Sequence, residues 1–427
     1  MAHLESSGGL FPGRRIAVRW VAVLAGAGLV GLASAPAAAQ SSFALAGNVR
    51  SLFSALNEYP NPSLAWELED GVSSDTILRL IGEGQLRDGW TYELHGAQRV
   101  QFETLEGERA GRLGWGEPVQ ATGRYRATRE DWMWAEHEDG SAELALDRLN
   151  LKVALSKADI LLGRQAVNFN QAVFWNPLDV FAPFGPLQFD RDYKTGVDAA
   201  RVDVPLGRLG GLNLIGALGR ETERDDMSWE GSALLARAFA NWQDWDWALQ
   251  GGKICGGYMV GGGASGDLGV LALRGEAAHF APDERNGYSS IGLTDHAEVV
   301  LGAGRRFADA LDVETEYFFN GAGESEHLNA ALPRLAAGTS RQMGRHFLGT
   351  AVRYEIHPRW KGSLMWILSF TDGSSVLQPG LAFSASEGCD LLLGALVGLG
   401  EGLEGTTVAS EFGAYPDILY AELKLYF

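Results

Sequence analysis

Charged side chains recur through this 427-residue chain at positions whose neighbours alternate between apolar and polar. The basic set is Arg79, Arg99, Arg148, Lys152, Arg164, Arg201, Arg237, Arg274 and Arg353; the acidic set is Glu276, Glu314 and Glu316. Glu83, Asp203 and Glu355 belong to the same pattern. Gathered around a wet bore, cations and anions on facing walls create a transverse field that orients polar solutes, or they brace the wall as ion pairs. A second concentration of chemistry lies in 159–204. Gly163-Arg164-Gln165 leads into Asn168-Phe169-Asn170 and Phe174-Trp175-Asn176-Pro177-Leu178-Asp179, then Phe189-Asp190-Arg191-Asp192-Tyr193-Lys194. Aromatic residues and prolines at this density disfavour a loop splayed in water. The expectation is a long loop over 168–194 that folds inward as a constriction, with Asp179, Asp190, Arg191 and Asp192 at or near its narrowest point. Packing on the outer rim is the alternative.

Covalent catalysis finds little to work with. The eight histidines are scattered with no i, i+4 pair, and there is no Gly-x-Ser-x-Gly elbow or phosphate-cradling glycine loop. His279 or His357 beside a serine is the residual hydrolase reading. No metal ligand set and no cofactor motif is expected. Cys255 and Cys389 lie far apart with no neighbouring His or Cys at ligand spacing, and both read as packing residues. The formal charge is −19; the first 39 residues carry three Arg and one Glu, which leaves −21 on the remainder. That balance argues against nucleic acid as a partner, because phosphate binding needs clustered Lys and Arg.

The elements that must hold these residues are strands. From Asp417 onward, Leu419, Ala421, Leu423, Leu425 and Phe427 share one face, and Tyr420, Glu422, Lys424 and Tyr426 share the other. Similar segments are read at 63–69, 76–86, 90–102, 142–155, 159–167, 195–204, 210–220, 231–241 and 245–251. Further ones fall at 254–262, 268–280, 291–302, 311–321, 345–357, 360–371, 376–386, 389–398 and 415–427. That predicts 18 strands, or 16 if Gly251-Gly252 is not a tight outer turn. Connections alternate in length. The set 87–89, 156–158, 205–209, 241–244, 263–267, 304–310, 358–359 and 387–388 is short. The set 103–141, 168–194, 221–230, 281–290, 322–344 and 399–414 is mostly long. Trp90, Trp245, Trp360 and Phe427 flank short turns, as an interfacial aromatic belt does. Short turns at one end and long loops at the other are the asymmetry of an antiparallel up-and-down transmembrane β-barrel, an all-β fold. Its apolar face would meet lipid. Its charges would face a lumen too wide to fill with side chains.

Arg14, Arg15 and Arg19 precede an apolar run and Ala37-Ala38-Ala39, which read as a cleaved secretory signal over 1–39. Residues 40–62, with their Asn57-to-Pro62 turn cluster, are expected as a periplasmic or plug segment, and 63–427 as the barrel. A last strand ending on Phe427 resembles the assembly signal of Gram-negative outer-membrane barrels. The Gly163-Arg164-Gln165 strand end and the loop after it resemble porin-like and alginate-export-like outer-membrane families. Those resemblances imply a channel for small polar solutes in the outer membrane, in contact with lipid and lipopolysaccharide. They also imply assembly by the barrel machinery through Phe427. A scaffold for a periplasmic partner is the other reading, and association into a homo-oligomer stays open.

Overall fold

The period-two segments pair edge to edge until the last meets the first. In the computed structural model the described residues are 43–61, 67–104, 124–127, 131–137, 139–169, 171–188, 191–220, 226–283, 291–308, 310–405 and 407–427. The signal segment expected over 1–39 lies outside them. The strands are β1 (Phe43–Asn61), β2 (Glu67–Arg87), β3 (Trp90–Glu103), β4 (Asp131–His137), β5 (Gly140–Ala154), β6 (Asp159–Gln165) and β7 (Val197–Pro205). They continue as β8 (Gly210–Arg220), β9 (Met227–Trp242), β10 (Trp245–Ile254), β11 (Gly257–Leu268), β12 (Leu271–Pro282), β13 (His296–Phe307) and β14 (Leu311–Asn320). The remainder are β15 (His346–His357), β16 (Trp360–Ser369), β17 (Ser375–Ser386), β18 (Cys389–Leu399), β19 (Leu403–Glu404), β20 (Thr407–Val408) and β21 (Asp417–Tyr426). Eighteen of them close an antiparallel barrel, with β1 paired to both β2 and β21. β4 adds to one half of β5, and β19 with β20 makes a small hairpin within a loop. One short helix, α1 (Leu332–Ala336), sits in the 321–345 connection.

The barrel is apolar outside and polar inside. On β21, Leu419 is 67% exposed while Glu422, on the other face, is 2% exposed. Leu94, Val100 and Phe102 on β3, and Leu364 on β16, likewise stand exposed on the outer wall. A ring of strands satisfies every ladder hydrogen bond, so such a wall can sit in hydrocarbon without an open edge. Two buried apolar clusters lie on the inner side, where residues of the 166–196 connection pack against the wall, and a third joins the 321–345 and 400–416 connections.

Several boundaries differ from the sequence reading, each for a physical reason. Within the segment expected as a periplasmic or plug element, 43–61 instead form β1, whose Phe43, Leu45 and Phe53 face outward. Leu52 and Leu56 on its other face blurred the alternation. Residues 67–69 and 76–86 are not parts of two strands. Both belong to the 21-residue β2, whose polar middle is carried across by paired hydroxyls, Ser51–Thr76 at 2.9 Å and Ser54–Ser73 at 2.8 Å. The added strand and the merger offset each other, so the total stays at 18. Gly251-Gly252 lies inside β10, and the turn falls at Cys255-Gly256 with Gly256 at φ +76°. The next turn is not 263–267 but Gly269-Val270, with Gly269 at φ +65°. Glycine runs carry no side-chain period, so they conceal where a strand stops. Gln243 and Asp244 both take positive φ and join Trp242 to Trp245 in a two-residue hairpin. Cys255 and Cys389 form no disulfide.

Candidate functional site

The chain between Gln165 and Val197 enters the barrel and is clamped there by two wall carboxylates. Glu316 on β14 accepts the backbone N–H groups of Val173 (2.6 Å) and Phe174 (2.8 Å). Glu276 on β12 accepts those of Gln171 (2.9 Å) and Leu178 (3.3 Å). A buried segment outside the sheet has amide groups that need partners, and acceptors on the wall supply them. Gln250 donates to the carbonyl of Leu178 at 2.6 Å, and Trp175 Nε1 donates to Gln342 at 2.8 Å. Arg274 holds the clamp from behind, with Nε at 2.6 Å from Glu316 and its other arm on Glu314.

Apolar packing completes the attachment. Trp175 stacks on Phe318 at 5.1 Å between centroids, and Phe181 meets Tyr125 edge-on at 5.3 Å. Two wall glycines make room for this. A Cβ on Gly349 would come within 2.9 Å of the Phe174 ring, and one on Gly261 within 2.7 Å of Leu178. Inside the loop, Arg191 donates to the carbonyls of Val173 (2.7 Å), Gly185 (2.9 Å) and Pro186 (2.5 Å). Lys194 forms a buried pair with Asp179. Burial lowers the pKa of Lys194, and the Asp179 charge opposes that shift.

Halfway round the ring from β12 and β14 stand β2 and β5, which bring two arginines to the loop. Arg79 pairs with Asp147 (3.0 Å) and lies 3.5 Å over the Tyr193 ring; Arg148 covers the same ring at 4.5 Å. The Tyr193 hydroxyl meets His95 Nδ1 at 2.6 Å. Next to them, Lys424 pairs with Asp192, and Arg50 with Glu422. The loop thus lies between wall carboxylates that accept from its backbone and wall arginines that cover Tyr193 near its return to β7.

The residues singled out from sequence divide into three groups. Arg79, Arg148, Arg201, Arg237, Arg274, Glu276, Glu314 and Glu316 lie on the inner side around the loop, in the contacts given above and below. Arg99 pairs with Asp75 at 2.6 Å and Lys152 with Asp159 at 2.7 Å, both away from the loop, and Arg353 is exposed on β15. The third group departs from expectation. Arg164 is paired in register with outward-facing Leu149; it is buried and bonded to Asp198 (2.8 Å) and the Leu146 carbonyl (2.8 Å). It braces the wall where β6 ends. Asp179 is 0% exposed within the loop, and Arg191 is taken up by three loop carbonyls, so neither presents its charge to the bore. Asp192, 61% exposed, does. Asp190 lies outside the described residues. Arg50, His95, Asp147, Tyr193, Glu422 and Lys424 were not singled out. For Glu422 and Lys424 the alternation of the last strand already placed them inward.

Two cavities flank the loop. The larger, about 630 Å3, opens toward the long connections and is lined by Phe181, Leu187, Phe280, Leu335, Met343 and Tyr415, with Glu411 among them. The smaller, about 340 Å3, lies on the short-turn side around Arg201 and Arg237. Glu411 ties two connections together by accepting the N–H groups of Met343 (2.9 Å) and Gly344 (2.7 Å), while its own N–H donates to Asp372 at 2.6 Å. Burial pushes its pKa up to about 8 against those two donors, with Asp372 adding to the rise. A folded-state pKa above the ordinary 4.5 means the tie is fully stable below that value and loses stability as pH rises through about 8. Between pH 7 and pH 9 the tied segments around Met343-Gly344 and Glu411 therefore become more open to protease, and Glu411→Gln, which stays neutral, removes that pH dependence. Identical digestion profiles for the two proteins would contradict it.

No family model matches the chain, and no curated protein matches it. Solved structures do. OccD3 (OpdP) of Pseudomonas aeruginosa is 10% identical with a TM-score of 0.54, over 90% of this chain and 91% of its own. OpdK of the same organism, solved with vanillate, is 9% identical with a TM-score of 0.54, over 90% and 98%. A BenF-like porin from Pseudomonas fluorescens Pf-5 is 10% identical with a TM-score of 0.54, over 90% and 98%. The fold of this chain is that of these three structures.

Proposed function

We propose that the barrel is an outer-membrane channel through which small hydrophilic solutes cross, with passage set by the inward loop and the charged wall facing it. One observation carries this reading. An eighteen-strand ring is too wide for side chains to fill, its exterior is apolar, and its interior holds a clamped loop with open space on both sides. A neighbour of the same fold that is described as a BenF-like porin supports it. On this reading Asp192, Lys424, Arg50 and Arg148 are the charges a solute meets beside the loop, and selectivity follows from the local field and the width left by the loop. Asp179 and Arg191 set the shape of the constriction without touching the solute. The leader over 1–39 delivers the chain beyond the inner membrane, Phe427 presents it to the assembly machinery, and the apolar exterior meets lipid and lipopolysaccharide. No catalytic step is assigned.

The test is electrical. Purified protein in a planar bilayer gives steady single-channel currents, and a salt gradient gives a reversal potential that moves toward cation preference in Lys424→Glu. A protein that inserts but carries no current would overturn the channel reading.

A further inference from the structure

The wall is not equally tall all round. β1 and β2 run 19 and 21 residues, whereas β10 has 10 and turns into β11 through Cys255-Gly256 alone. Ten residues tilted by about 40° climb about 25 Å, the height of the apolar band of such a barrel. The β10–β11 tip therefore ends level with the outer edge of the acyl region, while β1 and β2 continue beyond it. Side chains on the outer face mark the same level. Tyr258 is 57% exposed and Trp229 62%. Lys253 lies 5.1 Å from the Trp229 ring and donates to the carbonyls of Glu230 (3.0 Å) and Ser232 (2.7 Å). Rings and a lysine reaching back along the wall belong at the headgroup level.

The larger cavity opens over this low point. Its lining includes Gly256 and Gly257 of the tip and Tyr258 just below it, together with the interior Phe280, Leu335 and Met343. At about 630 Å3 it is large enough to enclose most of a small amphiphile. Its buried carboxylates are engaged, Glu411 by two amides and Asp179 by Lys194. Arg341 and Glu298, unpaired among the described residues, are of opposite sign, so the lining favours neither an anion nor a cation. Two neutral donors are different. The Tyr415 hydroxyl has no partner among the described residues and is not sealed from the cavity. The same holds for the Gln188 side-chain NH2, whose oxygen accepts from Gly185 at 3.1 Å. Neutral donors in an apolar pocket suit a carbonyl or ether oxygen on an apolar body.

We infer that the β10–β11 tip is a side entrance, through which an uncharged amphiphile dissolved in the outer leaflet slides over the rim into the larger cavity. Its apolar body lies against Phe280, Leu335 and Met343, and its carbonyl or ether oxygen accepts from Tyr415 or Gln188. The entrance goes beyond the hydrophilic route of the channel reading. It rests on that reading only for the orientation, with the long connections on the outer side of the membrane.

Photo-crosslinking of the barrel in lipid nanodiscs tests the entrance without requiring conduction. The probe is monodecanoylglycerol with a diazirine at the chain end, and its charged counterpart is decyl sulfate with the same diazirine. Mass spectrometry finds the uncharged probe on Tyr258 and also inside, on Leu335 or Met343. The sulfate labels the interior about tenfold less, because a charge gives up its hydration to enter. Ala336→Trp and Ala414→Phe fill the cavity from different connections, and each removes the interior label while leaving that on Tyr258. Tyr415→Phe lowers the interior label about fivefold, the value of one neutral hydrogen bond. Label confined to Tyr258 and the outer wall overturns the entrance, as does interior label that both filling variants leave intact. Stronger interior labelling by the sulfate, lost in Arg341→Gln, overturns the uncharged occupant. A barrel that conducts without interior label sinks the entrance alone; one labelled inside but silent sinks the channel reading alone.

Discussion

Deleting residues 172–188 raises single-channel conductance several-fold and flattens its dependence on solute size. The deleted segment carries Phe174, Trp175, Leu178 and Phe181, the largest buried side chains of the loop, which fill lumen space against Phe318, Phe347 and Tyr125. No strand is lost, because β6 ends at Gln165 and β7 begins at Val197, and their pairing from Asp159–Asp203 to Gln165–Val197 is independent of the loop. The barrel therefore still closes. It exposes an apolar strip inside, around Phe318, Phe347 and Ile367, and that strip costs some stability. Conductance and size exclusion measured on the same preparation decide the matter. An unchanged conductance means the loop does not limit the bore.

Glu316→Ala has the second-largest effect, on the loop's anchorage rather than on its mass. This carboxylate takes three donors, the N–H groups of Val173 and Phe174 and the Nε of Arg274, and it has no exposed surface. Removing one member of a buried ion pair costs about 3–5 kcal/mol, because the other charge is left without its partner. Arg274 keeps Glu314, which puts the cost toward the lower end. The two amides lose their acceptors outright. The loop then detaches at Val173-Phe174 while Glu276 still holds Gln171 and Leu178. The expected record is a channel flickering between the wild-type level and a larger one, with new protease sensitivity in 171–188. Glu316→Gln keeps the shape and loses the charge, so it falls between. Quiet wild-type currents from Glu316→Ala would show that the wall carboxylate does not hold the loop.

What the sequence makes legible follows from periodicity. Leu419, Leu423 and Leu425 announce their face because a strand repeats every two residues, and the same rule places Glu422 and Lys424 inside. Density of aromatic residues marks 168–194 as the loop that turns inward. The rule fails where side chains stop reporting. Gly251-Gly252 and Gly261-Gly262-Gly263 have no side chains to alternate, and the turns there were misplaced. β1 carries leucine on both faces, and its strand went unread. Parity also fails at Arg164, which sits where β6 leaves the sheet and belongs to the wall. Asp179 lies in a segment with no period, and its partner Lys194 is fifteen positions on. Glu276 and Glu316 were legible as inward charges but not as clamps. Their partners are main-chain amides 98 to 143 positions earlier, and amides carry no sequence signal.

The pairing of β1 with β21 has a temporal consequence. The carbonyl and amide of Phe427 bond Gly47 at 2.8 and 3.0 Å, and the phenyl ring covers the Gly47 backbone. β1 and β21 zip along one seam, so the cylinder stays an open ribbon until β21 has been made. Two bare edges persist for that whole interval, each ready to recruit a stranger. Contacts this distant along the chain form slowly. Closure removes both edges at once, because β21 supplies the missing pairing to β1 on one side and to β18 on the other.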